Sequence, residues 1–252
     1  MYAEATISVV IPHHRDFSAL AMSVQSAVAQ SLQPLEIIIV NDDDESLQSY
    51  QLDQLIRISE YIRILETGLC SGGPAKPRNI AINQSRGRYV AFLDADDIWL
   101  PNHLQSLDQA WCQSPEAIIH GHQLCWGLSL KKPFFQAGLS TRDTPHSTFQ
   151  QLLNFGNTIF LSSVGAPTEL IKRYQFDLDL VWEDFDLWLR LASDGYTFIN
   201  SNSCNTLYQI REGSRSGRRE ARRKGAQQVI DKYFARRPYL LLPPWLLRNL
   251  YF

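Results

Sequence analysis

Four short apolar runs rich in β-branched residues, each followed by a stretch at helical spacing, restrict this chain more than any other feature. They occupy residues 7–11, 35–40 (LEIIIV), 61–65 and 89–93. Runs of this length read as strands, and the continuous 35–40 run suits a central strand covered on both faces. After the first, Phe17, Leu20, Val24, Ala27, Val28 and Leu32 recur at helical spacing. Residues 47–58 read as a second helix. Pro77 can open a third, carrying Arg78 and Asn79 and ending at Gly87. A fourth follows Pro101 with Leu104, Leu107 and Trp111 inward, and residues 117–119 begin another strand. This alternation predicts an α/β fold, a mostly parallel Rossmann-like sheet flanked by helices. Ligands of such sheets bind beyond the carboxyl ends of the strands. The acidic turns after Val40 and Leu93 should therefore meet in one crevice.

The second half is less regular. Residues 128–147 read as a loop-rich insert, 158–164 as a strand, and 183–193 as a helix apolar almost all round and hence buried. Gly195 should stop that helix, with strands at 196–199 and 206–210. The expected organisation is a domain over 1–216, split into halves 1–127 and 128–216, and a tail over 217–252. The net charge of −2 hides an asymmetry: 11 of the 24 Lys and Arg lie between Arg211 and Arg248, against three acids there. Cys70, Cys112, Cys125 and Cys204 are widely spaced, which argues for reduced thiols over a disulfide frame or zinc site. The N-terminal stretch lacks a basic region followed by a long apolar one, and no run reaches the ~18 apolar residues of a membrane span. A cytoplasmic location, with contact at a membrane periphery through the tail, is the expectation.

Phe92–Asp97 (FLDADD) is the strongest chemical signal. Three carboxylates within four residues at the end of a buried strand are costly when uncompensated. A hard divalent cation such as Mg²⁺ or Mn²⁺ offsets that cost and is often shared with substrate phosphates; otherwise these acids would cap a helix and line a solvated turn. The loop 67–77 (TGLCSGGPAKP) carries Gly72 and Gly73, which permit close backbone approach, and Lys76 and Arg78 can reach a phosphate or base edge. It lacks the GK[ST] ending of a P-loop, and no GxGxxG follows the first strand. Trp182-Glu183-Asp184-Phe185-Asp186 puts acids in the first turn of a buried helix. There the dipole favours them, and one can act as a general base. A carboxylate in Asn41-Asp42-Asp43-Asp44-Glu45 can accept from a nucleobase imide or simply face water. His13 and His14 read as polar lining of the crevice in preference to metal ligands.

Together these segments resemble the family-2 glycosyltransferases of GT-A fold. The matching pieces are ISVVIPHHRD, EIIIVNDDDES, GGPAKPRNIAINQSRGRYVAFLDADDIWLP, WEDFDLWLRLASDGY and YQIREGSRS, spanning roughly residues 5–216. The resemblance implies transfer of a sugar from a nucleotide-sugar donor, UDP- or dTDP-type, to an acceptor hydroxyl with inversion. The acceptor would be a glycan or lipid-linked sugar of surface-glycan synthesis. It implies that Pro12, His13, His14 and Arg15 line the nucleoside pocket, that Asp42 pairs with the base, and that Lys76 and Arg78 contact the nucleotide. Asp94 would approach the ribose, Ala95 would belong to the same nucleotide-sugar site, and Asp96, with Asp94, would hold a Mn²⁺ or Mg²⁺ ion bridging the diphosphate. Asp184 would be the base, with Glu183 the alternative. The chain departs from the family pattern in its Asp43-Asp44 turn, in His13-His14-Arg15, and in Arg211, which stands where many relatives carry a His and can clamp a diphosphate as a fixed cation.

In the tail, Ala226, Val229, Ile230, Tyr233 and Phe234 share one helical face beneath Arg218, Arg219, Arg222, Arg223 and Lys224. Such a helix can dock on the core, lie on an anionic membrane or meet another copy. No nucleic-acid motif accompanies the charge. A nucleotidyltransferase and a noncatalytic nucleotide-sugar-binding scaffold are the rival functions.

Overall fold

The computed structural model describes residues 6–127, 132–138, 145–210, 219–235 and 242–251. The four apolar runs become β1 (Ile7–His13), β2 (Glu36–Asn41), β3 (Ile62–Glu66) and β4 (Tyr89–Phe92). They are separated by α1 (Phe17–Val28), α2 (Ser49–Ile58) and α3 (Ala75–Gln84). Then follow β5 (Ile98–Trp99), α4 (His103–Gln113), β6 (Ile118–His120), β7 (Gln123–Trp126) and β8 (Phe134–Gln136). The remainder comprises α5 (Pro145–Phe155), β9 (Gly165–Pro167), α6 (Thr168–Tyr174), α7 (Glu183–Ser193), β10 (Phe198–Asn200), β11 (Thr206–Gln209), α8 (Arg219–Val229) and α9 (Pro244–Tyr251).

The main sheet has the order β10-β6-β9-β4-β1-β2-β3. Its strands run parallel except β9, which pairs antiparallel with β4 and β6. The chain winds from β1 outward to β3, then returns to lay β4 on the other side of β1. That reversal opens a crevice at the carboxyl ends of β1 and β4, the usual ligand position in such sheets. A second sheet, β5-β11-β7-β8, borders the crevice.

The period-two alternation of strand side chains sends β1 Val9 and Ile11 to one face, with α1 Leu20 and Val24 and α4 Leu104 and Trp111. Val10 goes to the other, with α3 Ile82, α7 Phe185 and Trp188, and the tail. The tail adopts the docked arrangement. Ala226, Val229, Ile230, Phe234, Leu242 and Leu246 are buried in the same core as α7, so this apolar face is spent on the protein and not offered to a lipid surface. Among the described residues no helix is long and apolar enough to cross a membrane.

Three local expectations are corrected. The predicted strand over 158–164 is instead a 3₁₀ turn, Leu161–Ser163, followed by the short β9. Ser163 Oγ donates to the Phe160 carbonyl at 2.7 Å, a side-chain bond that competes with a strand ladder. Helix α3 starts at Ala75, two residues before Pro77, because a first-turn proline needs no N–H partner. The helix expected to carry Ala226, Val229, Ile230, Tyr233 and Phe234 on one face widens into a π-helical turn at Ile230–Phe234. Lys232 Nζ and Tyr233 Oη from that turn both reach Asp186 Oδ1, at 2.6 and 2.7 Å. Gly195 stops α7 as expected, with φ at +87°.

Candidate active site

Two connected chambers, of about 680 and 460 Å³, open at the strand ends and share Arg78, Asp94 and Asp96. The larger is lined by Pro12, His13 and His14 at the end of β1, by Asp42 after β2 and by Ala95 after β4. The smaller is lined by Asn157, Glu183 and Asp184.

His13 is buried, which lowers its pKa and keeps the ring neutral; its Nδ1 has no hydrogen-bond partner among the described residues. His14 Nδ1 lies 2.9 Å from Asp43 Oδ1. Arg15 does not turn into the chamber. Its backbone sits at φ +64°, its amide donates to Asp43 Oδ2 at 2.7 Å, and its side chain is exposed. Asp42 is buried and receives Thr67 Oγ1 at 2.7 Å and the Ser71 amide at 3.0 Å on one oxygen, and Ser71 Oγ at 2.8 Å on the other. It thereby ties the Gly-rich loop to β2. Lys76 is also displaced from its expected place. Its Nζ donates to the Thr67 carbonyl, and the side chain lines a separate cavity beyond Gly72 and Gly73.

The three FLDADD carboxylates divide into different roles. Asp97 is buried and accepts from Ser162 Oγ and the Gln209 amide. Burial, with Asp94 and Asp96 adjacent, pushes its carboxyl well above the usual range. Asp94 Oδ1 takes Arg78 Nη2 at 2.6 Å. Asp96 is half-buried on the boundary of both chambers.

Arg78 is almost wholly buried. Its second terminal nitrogen, Nη1, holds Glu183 Oε1 at 2.7 Å, and its guanidinium lies 5.4 Å from the Phe176 ring centre. Burial alone would lower its pKa; Asp94 and Glu183 outweigh that and raise it. Glu183 is thus taken up by an ion pair. Its neighbour Asp184 faces the smaller chamber and accepts Asn157 Nδ2 at 2.8 Å. Burial, then the Glu183 charge, raises Asp184 to about 6, against the pull of Arg78, the Phe185 amide and Asn157. A carboxylate tuned toward neutrality in a cleft has the property of a general base.

Among the described residues, no three His, Cys, Asp or Glu side chains cluster as ligands for an ion. Asp96, with Asp94 beside it, nevertheless fits a cation of the Mg²⁺ or Mn²⁺ class. Such ions are commonly held by one or two carboxylates with substrate phosphates and water completing the shell. Arg211 lies outside the described residues.

Sequence patterns did not single out Asn157, which sits in an irregular loop, or Asp97's anchoring role. They also missed Arg222 and Lys224 of α8, which line the smaller and larger chamber respectively. Their clustering was legible only as tail charge.

Known proteins match this architecture. The model of glycosyl transferase family 2 covers residues 8–161, and that of glycosyl transferase family group 2 covers 89–237. UDP-Glc:alpha-D-GlcNAc-diphosphoundecaprenol beta-1,3-glucosyltransferase WfaP of Escherichia coli is 28% identical over 208 residues, 82% of this chain and 78% of that protein. Among solved structures, S. aureus TarS 1–349 with UDP-GlcNAc superposes with a TM-score of 0.66 at 20% identity, over 90% of this chain and 67% of that one. Mannosyltransferase PcManGT from Pyrobaculum calidifontis, with GDP-Man and Mn²⁺, gives 0.64 at 14% identity, over 99% and 68%.

Proposed function

The chain belongs to glycosyl transferase family 2, and we propose that its crevice performs inverting transfer from a UDP-type nucleotide sugar to a hydroxyl of a lipid-linked or nascent surface glycan, with a divalent cation. Transfer of a sugar from a nucleotide sugar is the family's activity. The UDP assignment draws on the E. coli relative and on the S. aureus structure, whose names carry UDP-Glc and UDP-GlcNAc.

The observation that carries the reading is the division of labour around Arg78. Its ion pairs occupy Asp94 and Glu183, while Asp184 stands in the adjoining chamber with its pKa raised to about 6. In this reading the nucleoside lies against Pro12, His13 and Asp42. The transferred sugar reaches past Asp94 toward the smaller chamber. Asp184 accepts the proton of the acceptor hydroxyl as that oxygen bonds to the anomeric carbon. The bond to the diphosphate breaks on the opposite face, and its electron pair leaves with the nucleoside diphosphate. Asp96, with Asp94, would hold the cation. When bound, that cation supplies neutralising charge for the departing diphosphate.

Incubation with UDP-glucose, UDP-N-acetylglucosamine and dTDP-glucose, with Mn²⁺ or with EDTA, tests the assignment. Release of the nucleoside diphosphate without pyrophosphate is expected from a UDP-sugar in Mn²⁺. Exchange of pyrophosphate into a nucleoside triphosphate would assign nucleotidyl transfer instead, and donor binding without turnover would assign a scaffold.

A further inference from the structure

We propose that the basic start of α8 is a diphosphate clamp of the active site, with Lys224 facing the donor's diphosphate and Arg222 facing a diphosphate on the acceptor. The proposal rests on the sugar-transfer reading above for the donor, and takes the acceptor's diphosphate from the E. coli relative, whose name carries alpha-D-GlcNAc-diphosphoundecaprenol.

Helix α8 crosses the junction of the two chambers. Ala221 lines both, Lys224 lines the larger beside Gly72, Gly73 and Asp94, and Arg222 lines the smaller beside Asp96 and Asp184. The helix is fixed there. Gln228 accepts the Val181 amide at 3.0 Å and donates to the Asp179 carbonyl at 2.8 Å, on the segment that leads into α7. Gly225 lies so close to the Trp182 ring that a Cβ at that position would meet it at 2.7 Å. The apolar residues beyond it, Val229, Ile230 and Phe234, are buried in the core.

The crevice is otherwise acidic. Asp42, Asp94, Asp96, Asp97, Glu183 and Asp184 line it, and Arg78 is already occupied by two of them. A diphosphate entering this field needs cations beyond Arg78. Arg222 and Lys224 supply them, and neither has an ion-pair partner among the described residues. The Arg222 Nε is moreover buried without a hydrogen-bond partner among the described residues, a state a native structure usually resolves with a ligand or water. A guanidinium fork suits two phosphate oxygens, and an ammonium suits a single point of charge. One cation on each side of Ala221 gives each chamber its own.

The test uses the full chain and four variants: K224Q, R222Q, the double variant, and R223Q, whose exposed side chain lines neither chamber. The probes are UDP with Mn²⁺, inorganic pyrophosphate, and an N-acetylglucosamine diphosphate bearing a short alkyl chain. K224Q should weaken UDP binding and R222Q the alkyl sugar diphosphate, each by about ten-fold as expected for a lost charge-assisted bond. The double variant should lose pyrophosphate binding, R223Q should match the unmodified protein, and melting temperatures should agree throughout. If R222Q and K224Q bind all three probes like R223Q, the clamp is overturned. If Arg222 and Lys224 govern pyrophosphate binding while no nucleotide sugar is turned over, the clamp stands and the sugar-transfer reading falls.

Discussion

Arg78 Nη1 and Glu183 Oε1 meet at 2.7 Å inside the protein although 105 positions separate them in sequence. The pair joins α3, which follows the Gly-rich loop, to the first turn of α7, and it leaves Asp184 as the acid of the smaller chamber that stands outside this ion pair.

Arg78→Met is expected to destabilise the fold by about 3–5 kcal/mol, because it leaves Glu183 buried without its counter-charge and releases Asp94. Glu183→Gln keeps a hydrogen-bond acceptor for Arg78 and should cost less. Urea unfolding of the two variants and their combination measures the coupling. A loss under about 1 kcal/mol for Arg78→Met would show the pair to be incidental.

Asp184→Asn should leave UDP affinity unchanged and reduce transfer by a hundred-fold or more, within the range of general-base contributions of roughly 10²–10⁴. The base acts when ionised, so the rate should fall as pH drops through about 6 and level above it. Asn157→Ala removes a hydrogen bond that favours the carboxylate form. It should therefore move that acid limb to higher pH. The sign for stability is the reverse. A carboxyl whose folded value is raised above 3.8 stabilises the fold below that value and loses the contribution as pH rises through about 6. A rate profile flat from pH 5 to 8, with chemistry limiting, would place the base elsewhere.

Asp96→Ala should abolish the Mn²⁺-dependent part of UDP binding while leaving the melting temperature near that of the parent. Calorimetric titration of UDP with Mn²⁺ and with EDTA compares the two states. Equal affinity of the variant and the parent in Mn²⁺ would remove Asp96 from the ion's shell.

Phe234→Ala should destabilise by about 3–5 kcal/mol, the usual cost of emptying a buried aromatic position, since Phe234 is 2% exposed. If the tail were an independent appendage, thermal unfolding would show little change. Gly225→Ala probes the same docking without emptying the core. Its new methyl meets the Trp182 ring, so α8 must shift, and UDP affinity should fall together with stability.

Much of this protein was legible from residues alone. Periodicity is a local property: the β-branched runs and the 3.6-residue spacing of α1, α4 and α7 name their buried faces wherever the chain runs. The alternation of the two patterns then restricts the sheet to a parallel, doubly covered one. The placement of Asp42, Asp94 and Asp96 at strand ends, and hence in one crevice, follows from the same logic. What tertiary structure alone decided is which polar groups spend themselves on one another. Sequence spacing does not show that Arg78 reaches Glu183, that Asp97 turns inward to Ser162, that Lys76 points away to Thr67, or that α8 swings back over the crevice. These outcomes depend on the path of chain between distant segments and on burial, which makes an unpaired charge costly enough to select its partner.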